Sequence, residues 1–175
     1  MKISRRTFIA AGVLGAAALA TAGWLRGPHA PPTSTPRARL DADAEAVMGA
    51  VIPVLLAGAL PDDAQARQRM LAETLAGVDV AIAGLAPDAQ QELAQLFALL
   101  SLPPVRLMLA GVSAPWNEAS PQDVRRFLDR CRGSSTKLLR AAYDALHQLT
   151  FGAWYGNPAS WAAIGYAGPP NLGSA

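Results

Sequence analysis

Ser120-Pro121-Gln122-Asp123-Val124-Arg125-Arg126-Phe127-Leu128-Asp129-Arg130-Cys131 is the stretch that decides the fold class. A serine that can cap, a proline at the first helical position and an acid three residues past the cap together form a helix start. Val124, Phe127, Leu128 and Cys131 then recur at helical spacing and share one face. Beyond Gly133, Ser134 or Ser135 can cap a last long helix. It runs through Leu138, Leu139, Ala142, Tyr143, Leu146 and Leu149 to about Trp154.

The same signals extend towards the N-terminus. Asp41 or Asp43 caps a first helix whose apolar positions are Val47, Met48, Val51, Ile52, Leu55 and Leu56. Pro53 falls inside it and is expected to kink or end it. Pro61-Asp62-Asp63 opens a second helix with proline in its first turn, and Gly84 closes it. Pro87-Asp88 starts a third, carrying Leu93, Leu96, Phe97, Leu99 and Leu100. Pro103-Pro104 breaks it and begins a short apolar piece, Val105 to Leu109. No segment alternates with period two over strand length. The expectation is an all-α, single small domain of five or six helices over residues 40–156.

Composition agrees. Half of the chain (51%) is hydrophobic, Ala and Leu dominate, and aromatics make up only 6%, which favours helices over sheets. The net charge of +2 misleads. Lys2, Arg5, Arg6 and Arg26 all lie in the first 30 residues, where there is no acid, leaving 11 basic against 13 acidic residues beyond them. The pI of about 9.0 therefore reports the N-terminal segment and gives no reason to expect a nucleic-acid surface. Arg125, Arg126, Arg130 and Arg132 are interleaved with Asp123 and Asp129, as on a solvated helix face.

The first 26 residues read as an export signal: a short basic start, an apolar Ala- and Gly-rich run from Ile9 to Leu25, then Arg26-Gly27-Pro28. Arg5-Arg6 followed by Thr7-Phe8-Ile9 fits the twin-arginine consensus, which places a Phe and a hydrophobe after the pair. Arg5, Arg6 and Phe8 are the expected signal residues, and the expected destination is the periplasm or the periplasmic face of the inner membrane. Seventeen apolar residues also sit at the lower limit for a retained anchor. Residues 27–39 hold four prolines with Ser and Thr and read as a linker.

Candidate catalytic groups are sparse. Cys131 is the single cysteine, with no base or orienting group in its sequence neighbourhood. His147 has only Asp144 at helical spacing, a weak metal signal. A structural zinc or an iron–sulfur cluster needs thiolates the chain lacks. There is no phosphate-binding glycine motif and no Gly-x-Ser-x-Gly elbow. Asp62-Asp63 stands at a helix start, where the macrodipole accounts for it. No catalytic, cofactor-binding or metal residue is expected.

The unusual stretch is Leu149 to Pro170, with Phe151, Trp154, Tyr155, Trp161 and Tyr166 separated by glycines and prolines. It is expected to be a helix end, a turn at Gly156-Asn157-Pro158, a helical turn near Ser160 to Ile164 and then an extended tail, with 157–175 forming an aromatic, Gly- and Pro-rich tail segment. Two readings apply: an aromatic lid over the domain's own core, or a docking surface formed by Trp154, Tyr155, Asn157, Trp161, Ile164 and Tyr166.

Trp154-Tyr155-Gly156-Asn157-Pro158, then Trp161, then Ile164-Gly165-Tyr166-Ala167-Gly168-Pro169, behind a twin-arginine leader and a small helical body, resembles the small subunits of FAD-dependent sugar and polyol dehydrogenases, of the gluconate 2-dehydrogenase subunit 3 and sorbitol or fructose dehydrogenase type. The resemblance implies a non-catalytic accessory subunit without its own cofactor. Its partner would be a glucose–methanol–choline type FAD-containing large subunit, sometimes joined by a multiheme cytochrome c. The subunit would support the maturation of that flavoprotein and lend it the export signal, so that both pass the twin-arginine translocase together. The residues alone leave open a stand-alone exported enzyme or ligand-binding protein, in which Asp144, His147 and Tyr155 form the polar cluster. They also leave open an envelope protein anchored by its leader.

Overall fold

The computed structural model describes residues 40–168, apart from the side chains of 162–164. Arg5, Arg6 and Phe8 lie outside the described residues, as do the whole leader and linker. The described chain is all-α: α1 (Ala42–Leu55), α2 (Ala64–Ala83), α3 (Pro87–Ser101), α4 (Pro121–Arg132) and α5 (Lys137–Gly156). Between α3 and α4 stand a three-residue helical turn (Pro103–Val105), a π-helix (Arg106–Ala110) and a 3₁₀ turn (Trp116–Glu118). A second 3₁₀ segment, Pro158–Ile164, follows α5. There is no strand among the described residues.

α1 is the central element. It packs against all four other long helices and the Trp116 turn. Its Ala44, Val47, Met48, Val51 and Ile52 form one buried face, widened by the partly buried Ala46, Ala50, Val54 and Leu55. Asp41 starts it: its carboxylate accepts from the Ala44 N–H at 2.8 Å. The helix runs two residues past Pro53 before stopping at Leu55. The bond that Pro53 forfeits would have ended on the Gly49 carbonyl, and Gly49 is exposed, so water can take that oxygen.

α2 departs from the expected start. Asp63, not Pro61, marks its boundary: the Asp63 carboxylate accepts from the Ala66 N–H at 2.7 Å. The Pro61 carbonyl lies outside the helix and accepts from Arg67 Nε. α2 pairs along its length with α5, the most extensive helix–helix packing in the domain. Small residues bring the two axes close. A Cβ placed on Gly77 would lie 3.0 Å from the Ala153 Cβ, inside normal carbon–carbon contact. Thr74 on α2 and Thr150 on α5 are both fully buried, and each hydroxyl donates within its own helix, to Met70 O and Leu146 O.

α4 begins as its sequence implies, with Ser120 Oγ accepting from the Asp123 N–H. Each cap of this kind contributes about 1 kcal/mol. α5 starts without one. Thr136 holds the cap position with no side-chain bond of that kind, while the Ser134 hydroxyl accepts from the Thr136 N–H in a local turn. The Trp116 indole closes α3 by donating to the Leu100 carbonyl at 2.9 Å, and its ring meets Phe127 edge-on at 5.4 Å. Among the described residues no single helix is long and apolar enough to cross a membrane.

Candidate functional site

Tyr143, His147, Phe151 and Tyr155 recur every four residues on α5, a spacing that lays side chains one above another. Their rings form a continuous ladder. The centroids are 5.6 Å apart from Tyr143 to His147, 4.4 Å from His147 to Phe151 and 5.8 Å from Phe151 to Tyr155. The first three rings are half-buried and Tyr155 is 49% exposed. At 1.5 Å per residue the ladder extends roughly 18 Å along the helix.

The segment after α5 folds back onto the end of that ladder. Asn157 organises the turn. Its amide nitrogen donates to the Glu73 carboxylate on α2 at 2.8 Å, and its side-chain oxygen accepts from the Ala159 N–H at 3.0 Å. Ser160, fully buried, donates to the Trp154 carbonyl at 2.7 Å, with the Asn157 carbonyl at 2.8 Å. Trp161 Nε1 donates to the Tyr155 carbonyl at 2.7 Å. Two of the carbonyls that every helix leaves open at its end are thereby satisfied. Tyr166 then meets the Trp161 ring edge-on at 5.2 Å while remaining 48% exposed.

The expected docking residues therefore divide. Trp161 and Tyr166 pair ring to ring, and the Trp161 indole is bonded to the Tyr155 carbonyl at the end of the ladder, so the three form one aromatic cluster there. Trp154 does not join them: it is 1% exposed and belongs to the hydrophobic core. Asn157 serves the turn. The Ile164 side chain lies outside the described residues. Trp154 thus takes the place the lid reading gives it, while Tyr155, Trp161 and Tyr166 stay at the surface. The helical turn expected near Ser160 to Ile164 is present as Pro158–Ile164 and is bonded back to the end of α5, and the tail beyond Gly168 lies outside the described residues.

Phe151, already part of the aromatic stretch, is joined on this face by Tyr143 and His147. Tyr143 packs against the core, as its spacing predicts, while also stacking on His147. The four-residue spacing of aromatic rings was the signal that links them. Asp144 is exposed, and His147 stacks between Tyr143 and Phe151, so Asp144, His147 and Tyr155 do not form one polar cluster.

Elsewhere, a groove of about 310 Å³ opens between the start of α1, the end of α2 and α3, lined by Leu40, Ile82, Leu93 and Phe97 among others. Of its polar members, Asp41 caps α1, Gln90 bonds to the α2–α3 turn and Gln91 is exposed. Cys131 is buried in the core, which pushes its thiol up to about 11, with Arg130 pulling weakly the other way. Among the described residues no group of three His, Cys, Asp or Glu side chains is placed to hold a metal ion.

Comparison with protein-family models, with curated proteins and with solved structures finds no match to this chain.

Proposed function

We propose that the chain is a non-catalytic accessory subunit that binds a glucose–methanol–choline type FAD-dependent dehydrogenase. In this reading it supports the maturation of that flavoprotein and carries it, folded, through the twin-arginine route to the periplasm. A multiheme cytochrome c is a third component in some complexes of this type.

The observation that carries the reading is the aromatic patch. Tyr155, Trp161 and Tyr166 fall within the stretch that resembles the small subunits of such dehydrogenases. They stand half-exposed beside the Tyr143–His147–Phe151 ladder. Aromatic residues with a large apolar area and a polar edge dominate the energetics of protein–protein contacts. The hydrogen bonds of Asn157, Ser160 and Trp161 hold the patch in place before any partner arrives. Preorganisation of this kind lowers the entropic cost of association.

The direct test is recovery of a tagged full chain from its native host, checked for a yellow, flavin-fluorescent large subunit. The double substitution Arg5→Lys with Arg6→Lys should hold both polypeptides in the cytoplasm. A large subunit that still reaches the periplasm in that variant removes the carrier role. A chain that is exported and purifies with no flavoprotein removes the whole reading.

A further inference from the structure

The π-helix between α3 and α4 presents a second surface, unlike the first. The segment Pro103–Ala110 leaves α3 at an angle of 75°. At its outer turn Leu107 is 58% and Met108 84% exposed, the latter being the most exposed large hydrophobic side chain among the described residues. Pro103 and Pro104 beside them are exposed too. These side chains stand out from the surface and do not line a groove.

The surrounding charge is segregated. Residues 40–101 contain nine acidic side chains and, on the basic side, only Arg67 and Arg69. Residues 102–140 reverse this, with Arg106, Arg125, Arg126, Arg130, Arg132, Lys137 and Arg140 against Glu118, Asp123 and Asp129. Asp123 and Asp129 are already paired with Arg126 and Arg132. Arg106 and Arg130 have no carboxylate partner among the described residues, and they are the two cations at the π-helix. Arg106 begins it. Arg130 reaches across from α4 and donates to the Leu109 carbonyl at 3.0 Å, which fixes its guanidinium within one residue of Met108. Gly111 makes room for that reach: its φ is +66°, and a Cβ there would lie 2.8 Å from Arg130 Nη2.

We propose that the Leu107–Met108 turn, flanked by Arg106 and Arg130, docks the protein onto an anionic phospholipid bilayer. A protruding aliphatic tip enters the boundary between headgroups and acyl chains, while arginines at its base meet lipid phosphates. Such a tip above two arginines without carboxylate partners among the described residues matches the layering of an anionic bilayer, phosphates outside and acyl chains within. The inference stands without the partner assigned to the aromatic patch. Each aliphatic side chain moved from water into the acyl boundary favours binding by about tenfold. Each arginine at an anionic surface adds about fivefold.

The test uses the full chain with an environment-sensitive fluorophore on Met108→Cys, and a control label on Val80→Cys. Val80 is 72% exposed on α2, within the acidic stretch, and the native Cys131 is buried and escapes labelling. Vesicles of phosphatidylcholine mixed with phosphatidylglycerol should shift emission to the blue at position 108 and not at position 80, and high salt should reverse the shift. Arg130→Gln should weaken vesicle binding about fivefold, with the circular dichroism of the fold retained. An N-terminal segment acting as the sole anchor would leave both labels in water. That result overturns the proposal, as does an equal shift at both positions or with neutral vesicles. A shift at 108 that appears only with a co-purified protein also overturns it and makes the tip a protein contact.

Discussion

Replacing Trp154 and Trp161 separately by alanine should give opposite phenotypes, although both belong to the same aromatic stretch. Trp154 is 1% exposed. A buried tryptophan removes about 200 Å² from water, which at about 25 cal/mol per Å² corresponds to about 5 kcal/mol as an upper figure. Truncations of this kind cost about 3–5 kcal/mol once the cavity is included. For a domain of this size that lowers Tm by roughly 10–20 °C. Trp161 is half-buried and makes one hydrogen bond, to the Tyr155 carbonyl, and one ring contact, to Tyr166. Losing these costs about 1–2 kcal/mol, a Tm change of roughly 5 °C. Its loss should nevertheless abolish co-purification of a flavoprotein, because it removes the centre of the exposed patch. Thermal unfolding by circular dichroism and recovery of the partner on the same preparations measure both effects. A Trp154→Ala protein that melts within a few degrees of the parent would refute the core assignment. A Trp161→Ala protein that retains its partner in full would refute the docking assignment.

Gly77→Val should destabilise the α2–α5 pairing by about 1–3 kcal/mol in urea unfolding, because a branched side chain cannot fit 3.0 Å from Ala153; unchanged stability would mean the helices are further apart. Ser120→Ala should cost about 1 kcal/mol through loss of the α4 cap, measured by the same method. The Ser120 hydroxyl and the Arg126 guanidinium hold the Asp123 carboxyl below its usual range. Its stabilising effect is therefore complete above the ordinary carboxylate pKa and is lost as pH falls through the lower folded value, so Asp123→Asn should flatten stability-versus-pH curves on the acid side of about pH 4. Cys131 has the opposite sense. Its folded pKa of about 11 is above the unfolded one, so folding stability should fall between about pH 9 and 11, and a thiol reagent at neutral pH should react only after denaturant is added.

The caps and breaks were legible in the sequence because they are local. Asp41, Ser120 and Pro87 start helices where their chemistry requires, and Gly84 ends one. Pro61 misled because the rule favouring proline in a first turn competes with aspartate as a cap, and the Asp63 carboxylate supplies a bond that proline cannot. Ser134 misled for a related reason: its hydroxyl is engaged in a turn before the helix begins. The separation of Trp154 from Trp161 was not legible. Both are tryptophans near a helix end, and only the packing of α5 against α2 determines which one faces inward. The approach of Arg130 to the π-helix was equally hidden, since it joins residues 21 apart through a backbone carbonyl.

The bonds that close α5 also set an order of assembly. α2 cannot acquire its principal neighbour until α5 has been synthesised, and the end of α5 is sealed only by Ser160 and Trp161, with Asn157 tied back to Glu73. A nascent chain can therefore pack α1 against α2, α3 and α4 early, but α2 lacks its principal neighbour, and the domain its finished end, until a late step. The aromatic patch comes into being in that same step, so a partner that reads it is reading completion: a chain truncated before Trp161 would lack both the seal and the surface.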